Sequence, residues 1–251
     1  MTSFDVIVIG AGHAGCEAAL AAARMGANTA LVTMDPLAAA RLSCNPSIGG
    51  MAKSHMVFEL DALGGEMAVN TDCTGIQFRV LNRSKGPAVR ANRVQCDKPA
   101  YSARMVAVLN AQKNLTLIQD QIEGVKVEND HIKGVLGLKS GFIEAKSVIL
   151  TAGTFLRGKI FVGKSVVAGG RLDEPSEERL SLQLRDLGFR VERLKTGTPP
   201  RLHQHSLDYQ AMTRQPGEEP PPFLSWRCRA TQPMFHVEQS LVDADGGDRP
   251  N

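Results

Sequence analysis

The sequence predicts an α/β fold built on a parallel sheet. Three observations carry that prediction. An apolar run, FDVIVI at residues 4–9, passes directly into a glycine turn, GAGHAG at 10–15, and then into an alanine-rich stretch ending at Gly26. A second apolar run, NTALVT at 28–33, follows. Much later, three short alternating segments precede another apolar run, SVIL at 147–150, which ends in TAGTF.

The first unit reads as strand, turn, helix, strand, because short apolar runs bounded by glycine form buried strands. Ala18, Ala19, Ala22 and Ala23 give a small-residue helix between the two strands. The glycines have separate tasks. Gly10 makes the tight turn, Gly12 lets a pyrophosphate approach the backbone, and Gly15 lets the helix sit close to the strand. Free N–H groups and the positive dipole end of the helix would face the phosphates. Gly10, Ala11, Gly12, His13, Ala14 and Gly15 are therefore the expected cofactor-binding residues. His13 either borders the cofactor or fills space between the second and third glycines. The second strand of such a unit usually ends on an acid for the ribose hydroxyls. Here the end reads Thr33-Met34-Asp35, which leaves Asp35 and Thr33 as alternatives.

The remaining elements follow in order. Residues 35–47 lack a period and read as loop, with Cys44 in the string LSCNPSIGG. Ala52, Met56, Leu60 and Leu63 recur at helical spacing, with Val57 beside them, and Gly64-Gly65 end that helix. The Cys44 loop is thus expected to feed a helix N-terminus, where thiolate is favoured. Residues 75–81 alternate as a strand. A basic run follows, with Arg83, Lys85, Arg90, Arg93 and Lys98 in an expected loop around Gly86-Pro87. Residues 97–110 form a helix with Tyr101, Met105, Val108 and Leu109 inward, and 115–119 a strand. The segments 122–127, 132–138 and 142–145 read as a small antiparallel meander. A helix at 177–187, a strand at 189–194 and a rigid loop, KTGTPPRL at 195–202, complete the predicted elements. No periodicity is found beyond Phe223, and the polar, glycine-rich end reads as disordered.

Composition narrows the function classes. The chain has 251 residues, 43% of them hydrophobic and 22% charged, which is ordinary for a globular protein. A net charge of +3 does not by itself argue for nucleic acid. The five cysteines form no CxxC pair and no zinc-ligand spacing, so a reducing compartment is the expectation and no metal is expected. No apolar run approaches membrane-spanning length, and the expected location is cytoplasmic.

The order βαβ, long middle stretch, meander, and strand ending in TAGT is similar to the glutathione-reductase-type FAD fold. The strings GAGHAGCEAALAAARMG, LSCNPSIGGMAKSH, ELDALGGEM, GIQFRVLNRSKGPAVRANRVQCDKPAY, VILTAGTFLRGKIFVG and RLKTGTPPR resemble the MnmG (GidA) family of tRNA-modifying flavoenzymes, from residue 4 to about 223. The resemblance implies FAD as cofactor and NADH as reductant. It implies a partner GTPase of the MnmE type, a homodimer, and addition of an aminomethyl or carboxymethylaminomethyl group to C5 of the tRNA wobble uridine. Cys44 matches the family's motif cysteine, a nucleophile or acid/base group. Ile122 matches a backbone FAD contact, and Ser176 another, with Glu177 aligning almost as well. Arg79, Arg83, Lys85, Arg90 and Arg93 are the expected tRNA contacts, since cations neutralise phosphates.

The resemblance also sets the expected domains. Residues 1–195 are the first part of the FAD-binding domain, with the meander at about 122–146. Residues 196–224 start a second or insertion domain, and 225–251 form a non-family, disordered tail. Family members are much longer, so a truncation or frame change near 225–229 is expected. Two other readings stand beside this one. The chain could be a catalytically inactive FAD- or tRNA-binding fragment. A pyridine-nucleotide disulfide oxidoreductase would need a second cysteine close to Cys44, and the sequence has none there.

Overall fold

The computed structural model describes residues 3–172 and 174–231. Its centre is β1 (Ser3–Ile9), the expected apolar run. Gly10 to Gly12 turn the chain into α1 (His13–Arg24), and β2 (Thr29–Thr33) returns parallel to β1. In β2 the two-residue period is used on both faces. Leu31 joins the core under α1, while Ala30 and Val32 face a second core.

A short strand, β3 (Ser47–Gly49), precedes α2 (Ser54–Ala62) and α3 (Met67–Thr74). Two expectations change here. The inward residues of α2 are Ser54, Val57 and Asp61, not the apolar stripe, and Met56 and Leu63 are exposed. Asp61 is turned inward because it binds a later segment. The helix α3 was not expected from the sequence, since its first turn has no local capping signal. Its start is held from elsewhere: the Glu17 carboxylate of α1 accepts the backbone N–H groups of Glu66 at 3.0 Å and Met67 at 2.6 Å.

The strand β4 (Gly75–Leu81) is as expected, but the basic run after it is not one long loop. It turns back as β5 (Ala91–Cys96), and the three strands form an antiparallel sheet in the order β3-β5-β4. Arg79 and Arg93 are thus strand residues, standing opposite each other. The buried positions of ANRVQC, Ala91, Val94 and Cys96, do not follow a strict two-residue period, which hides the strand in the sequence.

The helix α4 (Lys98–Ala111) buries Tyr101, Met105 and Leu109. The Asp97 carboxylate caps it by accepting the Ala100 N–H at 2.9 Å. Together α1 and α4 cover one face of the main sheet, with Val8, Cys16, Leu20 and Leu31 in the same core. Next come β6 (Leu115–Gln119), β7 (Ile122–Glu128), β8 (His131–Gly137) and β9 (Gly141–Leu150). The sheet order is β6-β2-β1-β9-β8-β7. The meander and the run 147–150 were expected as separate pieces, yet β9 is one strand. Its first half pairs antiparallel with β8 and its second half parallel with β1. Lys146, which reads as a polar break, lies on the exposed side and pairs with Asp5 at 2.7 Å.

The chain closes with a hairpin, β10 (Lys159–Val162) and β11 (Ser165–Ala168), then α5 (Leu180–Asp186) and α6 (Trp226–Thr231). The hairpin was not anticipated. The expected strand at 189–194 is irregular. From 215 to 223 the chain lies against the β3-β5-β4 sheet. Gln77 donates to the Gln215 carbonyl at 2.7 Å, Asn92 to the Pro222 carbonyl at 3.0 Å, and Phe78 meets Phe223 edge-on.

The expected disordered tail begins at 225, but α6 lies there, and Leu224 and Ser225 are fully buried. A helix of six residues is too short to carry a legible period. The rest of that tail, 232–251, lies outside the described residues.

Candidate functional site

The glycine turn sits at the C-terminal end of β1, where parallel α/β sheets bind ligands. Gly10 has φ +96°, and a Cβ on it would lie 2.7 Å from the Thr151 carbonyl oxygen. A Cβ on Gly15 would lie 1.8 Å from the Gly10 carbonyl oxygen and 2.7 Å from Thr151 Oγ1. Both glycines are therefore required by close backbone approach. Gly12 differs: a Cβ there would meet nothing within 4 Å, although Gly12 is the N-cap of α1. The open side of the turn is thus at the helix N-terminus, where a phosphate would need to come close to the backbone.

The TAGT string is the brace of this turn. Thr151 donates its N–H to the Ile9 carbonyl at 2.9 Å. Its hydroxyl donates toward the carbonyls of Ile9 at 2.8 Å and Gly10 at 2.9 Å. Beyond it, the Glu177 N–H donates to the Phe155 carbonyl at 2.8 Å and the Glu177 carbonyl accepts from Arg157 N at 2.7 Å, while Phe155 N donates to the Ala152 carbonyl at 3.1 Å. Ser176 is thereby joined to the turn through one short chain of contacts. The Ser176 hydroxyl itself is bonded to the Glu178 carboxylate. The Glu177 side chain caps α5, accepting from Arg179 N at 2.6 Å and Leu180 N at 2.8 Å. Ile122 starts β7, and its side chain is in the core with Phe4 and Ile7. Only its backbone remains for a ligand.

His13 follows the open position. Its ring lies tilted against Tyr101 at 5.6 Å, and its Nε2 is buried without a hydrogen-bond partner among the described residues. Burial first, then the Arg171 charge, pushes its pKa below the ordinary histidine value, which favours the neutral imidazole. Ala11 is buried, and its carbonyl accepts from Ala40 N at 2.8 Å. Ala14 is exposed on the first turn. Cys16 points inward, donates to the Ala11 carbonyl at 3.4 Å, and burial raises its pKa to about 12, so it is an inert packing group.

The strand β2 ends at Thr33, two residues before Asp35. The Asp35 carboxylate caps a 3-10 turn through Leu37 N at 3.0 Å and pairs with Arg41 at 3.5 Å. Arg41 also pairs with Glu174 at 2.8 Å, which ties the loop after β2 to the segment carrying Ser176. Neither Arg41 nor Glu174 was singled out in the sequence, because nothing in their local strings marks a partner 133 positions away.

Cys44 is exposed, but it does not feed a helix N-terminus as expected. The strand β3 and a turn intervene before α2. What lies against the thiol is the KTGTPPRL loop: Cys44 Sγ is 3.7 Å from the Gly197 carbonyl and 3.5 Å from Thr198 Oγ1. Arg201 donates to the Ser43 carbonyl at 3.3 Å and fastens the two loops together. The sequence marked both strings as motifs but gave no sign that they meet.

The basic residues divide by partner. Arg83 is paired with Glu218, and Arg79 donates to Gln215 Oε1 at 2.7 Å. Among the described residues no carboxylate pairs with Arg79, Lys85, Arg90 or Arg93. Lys85 and Arg90 are exposed at the connection between β4 and β5. Two carboxylates nearby serve the fold, and Asp97 is the cap of α4. Asp61 accepts from the Ser225 hydroxyl at 2.8 Å and the Trp226 N–H at 2.9 Å, and it pairs with Arg227 at 3.0 Å. Both are structural.

The βαβ unit, its open glycine and its threonine brace define a Rossmann-type nucleotide-binding domain. The chain belongs to the family described as glucose inhibited division protein A, whose model matches residues 5–240. That match continues past 225, where a non-family tail was expected. The chain is 54% identical over 233 residues to the tRNA uridine 5-carboxymethylaminomethyl modification enzyme MnmG of Geobacter sulfurreducens, covering 92% of this chain and 37% of that protein. It is similar to the structure of Aquifex aeolicus GidA, with 46% identity, a TM-score of 0.87, and coverage of 91% of this chain and 38% of that one. A GidA-related protein from Thermus thermophilus is 25% identical with a TM-score of 0.55, covering 76% of this chain and 72% of that one. The chain therefore spans a little over a third of the length of the curated relative it matches. Among the described residues no helix is long and apolar enough to cross a membrane.

Proposed function

We propose that this chain is the FAD-holding and RNA-facing N-terminal portion of a tRNA wobble-uridine C5-modifying enzyme. The observation that carries the reading is the open Gly12 position between two glycines, Gly10 and Gly15, that close backbone contact requires. The orphaned His13 Nε2 adds a buried polar atom that a polar ligand group could satisfy. Those features fit a dinucleotide. Gly10 to Gly15 would hold the diphosphate, and the Ile122 backbone and Ser176 would contact the nucleotide further along. A bound flavin supplies two-electron redox chemistry. Cys44, exposed and steadied by Thr198 and Arg201, is the group that acts on the base as nucleophile or acid/base.

The basic residues of β4, β5 and their connection are the RNA contact. Like charges opposite each other across a strand pair are unfavourable, and Arg79 stands opposite Arg93. A polyanion would relieve that repulsion. With the reading come NADH as reductant, an MnmE-type GTPase and homodimerisation. They belong to the family-length protein, as does a cytoplasmic location. The share of the relative that the chain spans favours a second reading for the chain alone, a binding fragment without turnover.

The test is a chimera in which this chain replaces the matching segment of the Geobacter sulfurreducens relative. The Cys44→Ala chimera is expected to keep its flavin colour and lose the modified nucleoside. Normal nucleoside levels would remove Cys44 from the chemistry. A colourless chimera that added FAD cannot restore would remove the cofactor assignment.

A further inference from the structure

Outside the nucleotide turn and the Cys44 loop, one end of the β3-β5-β4 sheet carries exposed apolar side chains. The chain leaves β3 through a turn in which Gly49 has φ +86°, Gly50 +99° and Ala52 +56°. An alanine in the left-handed region is strained, and such strain persists only where the surrounding structure imposes it. The turn projects Met51, which is 61% exposed. At the same end of the sheet, the β4–β5 connection begins at Asn82, also left-handed at φ +57°, a conformation that asparagine tolerates. Its side-chain amide donates to the Met51 sulfur at 3.0 Å and to the Val89 carbonyl at 3.1 Å. Asn82 thus ties the two turns together, with Met51 and the 47%-exposed Val89 as neighbours around one amide. Three cations stand by them. Lys53 follows Met51 by two residues, Arg90 follows Val89 directly, and Lys85 lies in the same connection; all three are exposed. Among the described residues no carboxylate pairs with any of them. Glu218, which accepts the Val80 N–H at 2.8 Å, is taken by Arg83.

We propose, resting on the RNA-facing reading of this sheet, that Met51 and Val89 form a platform for one unstacked base of a single-stranded RNA segment, with Lys53, Lys85 and Arg90 on the flanking phosphates. The residue types fit that ligand. Methionine is flexible and polarisable and makes favourable contacts with aromatic rings, and a nucleobase is such a ring. Single-stranded RNA presents its bases splayed out, ready to be laid on a side chain. The cations neutralise phosphates and position the strand without reading its sequence. An apolar patch beside three cations that lack carboxylate partners suits a polyanion and disfavours a basic protein surface. The platform is not the reaction site. Three residues of β3, at about 3.3 Å each, separate the Met51 turn from the Cys44 loop, so roughly 10 Å of strand lies between them. The base on the platform is therefore a neighbour of the one that reaches Cys44, and it holds the segment unstacked and in register.

The experiment measures binding of the whole 251-residue chain to a labelled oligouridine by fluorescence anisotropy across a salt series. Met51→Ala is expected to weaken binding roughly three- to tenfold at every salt concentration, since an apolar contact releases no counterions. Lys53→Ala is expected to reduce the slope of log affinity against log salt by about 0.7, the loss of one phosphate contact on a single strand. On an abasic ribose-phosphate oligomer Met51→Ala should have no effect, while Lys53→Ala keeps its own. Met51→Leu retains an apolar side chain and gives up the sulfur bond to Asn82, and it should bind as wild type does. Met51→Leu as weak as Met51→Ala would assign the effect to the Asn82 tie and overturn the platform. So would a Met51→Ala loss of equal size on the abasic oligomer. If Arg90→Ala weakens RNA binding and neither Met51→Ala nor Lys53→Ala does, the platform falls and the RNA-facing reading stands. A chain that binds no RNA at low salt removes both.

Discussion

Two glycines three positions apart are kept for different reasons, and a methyl group separates them. At Gly15 an added Cβ would meet the Gly10 carbonyl oxygen at 1.8 Å, and that neighbour is backbone that cannot swing aside. Gly15→Ala is expected to cost roughly 1–3 kcal/mol of stability, as overpacking does, measurable as a lower urea midpoint. Gly12→Ala meets nothing within 4 Å, at an ordinary φ of −70°. It should leave the midpoint unchanged and still weaken FAD binding in a titration, because the methyl would occupy the space claimed for the diphosphate. Equal FAD affinity in wild type and Gly12→Ala would show that no ligand uses that space. The pattern GxGxxG was legible in the sequence, but this division of labour was not. It depends on Thr151, which only the sheet brings to the turn.

At the scale of elements, helix ends are the points where distant carboxylates decide local structure. Asp97 caps its own helix, so Asp97→Ala should lower stability by about 1 kcal/mol in equilibrium denaturation. Glu17 holds α3 and Asp61 and Asp72 hold α6 from other elements, which is why neither helix was readable from its own string. Asp72 gives the clearest pH signature. Burial raises its pKa from an ordinary 3.8 to about 6, against the pull of two backbone N–H groups. The folded chain then binds that proton more tightly than the unfolded chain. The contribution of Asp72 to stability is greatest below its unfolded value and falls as pH rises through about 6. Urea midpoints taken from about pH 4 to about pH 7 should decline less steeply for Asp72→Asn than for wild type. Parallel curves would remove Asp72 as the source.

At the scale of the whole molecule, charge placement matters more than the net +3. Arg90 is exposed with no carboxylate partner among the described residues, while Arg83 is neutralised by Glu218. Arg90→Ala should weaken tRNA binding and reduce the slope of log affinity against log salt by roughly 1. Arg83→Ala should change that slope much less. Equal effects of the two substitutions in a filter-binding series would mean that the Glu218 pair does not persist in solution, and no effect of either would return the β4-β5 connection to structure. The five cations looked equivalent in the sequence because their partners, Gln215 and Glu218, lie far along the chain.

The sequence by itself determined the βαβ unit, the glycine turn, the strands and helices with clean periods, and the family. Each of these is written in neighbouring residues, where hydrophobic spacing and turn chemistry act locally. Only the tertiary structure decided that the basic run turns back as the central strand of a sheet, that β9 is one strand with two partners, that Cys44 lies against Thr198, and that α6 is anchored by Asp61 and Asp72. All but the first of those outcomes rest on groups finding partners more than a hundred residues away. No local pattern encodes such a meeting, because it costs nothing in the sequence until the chain has folded.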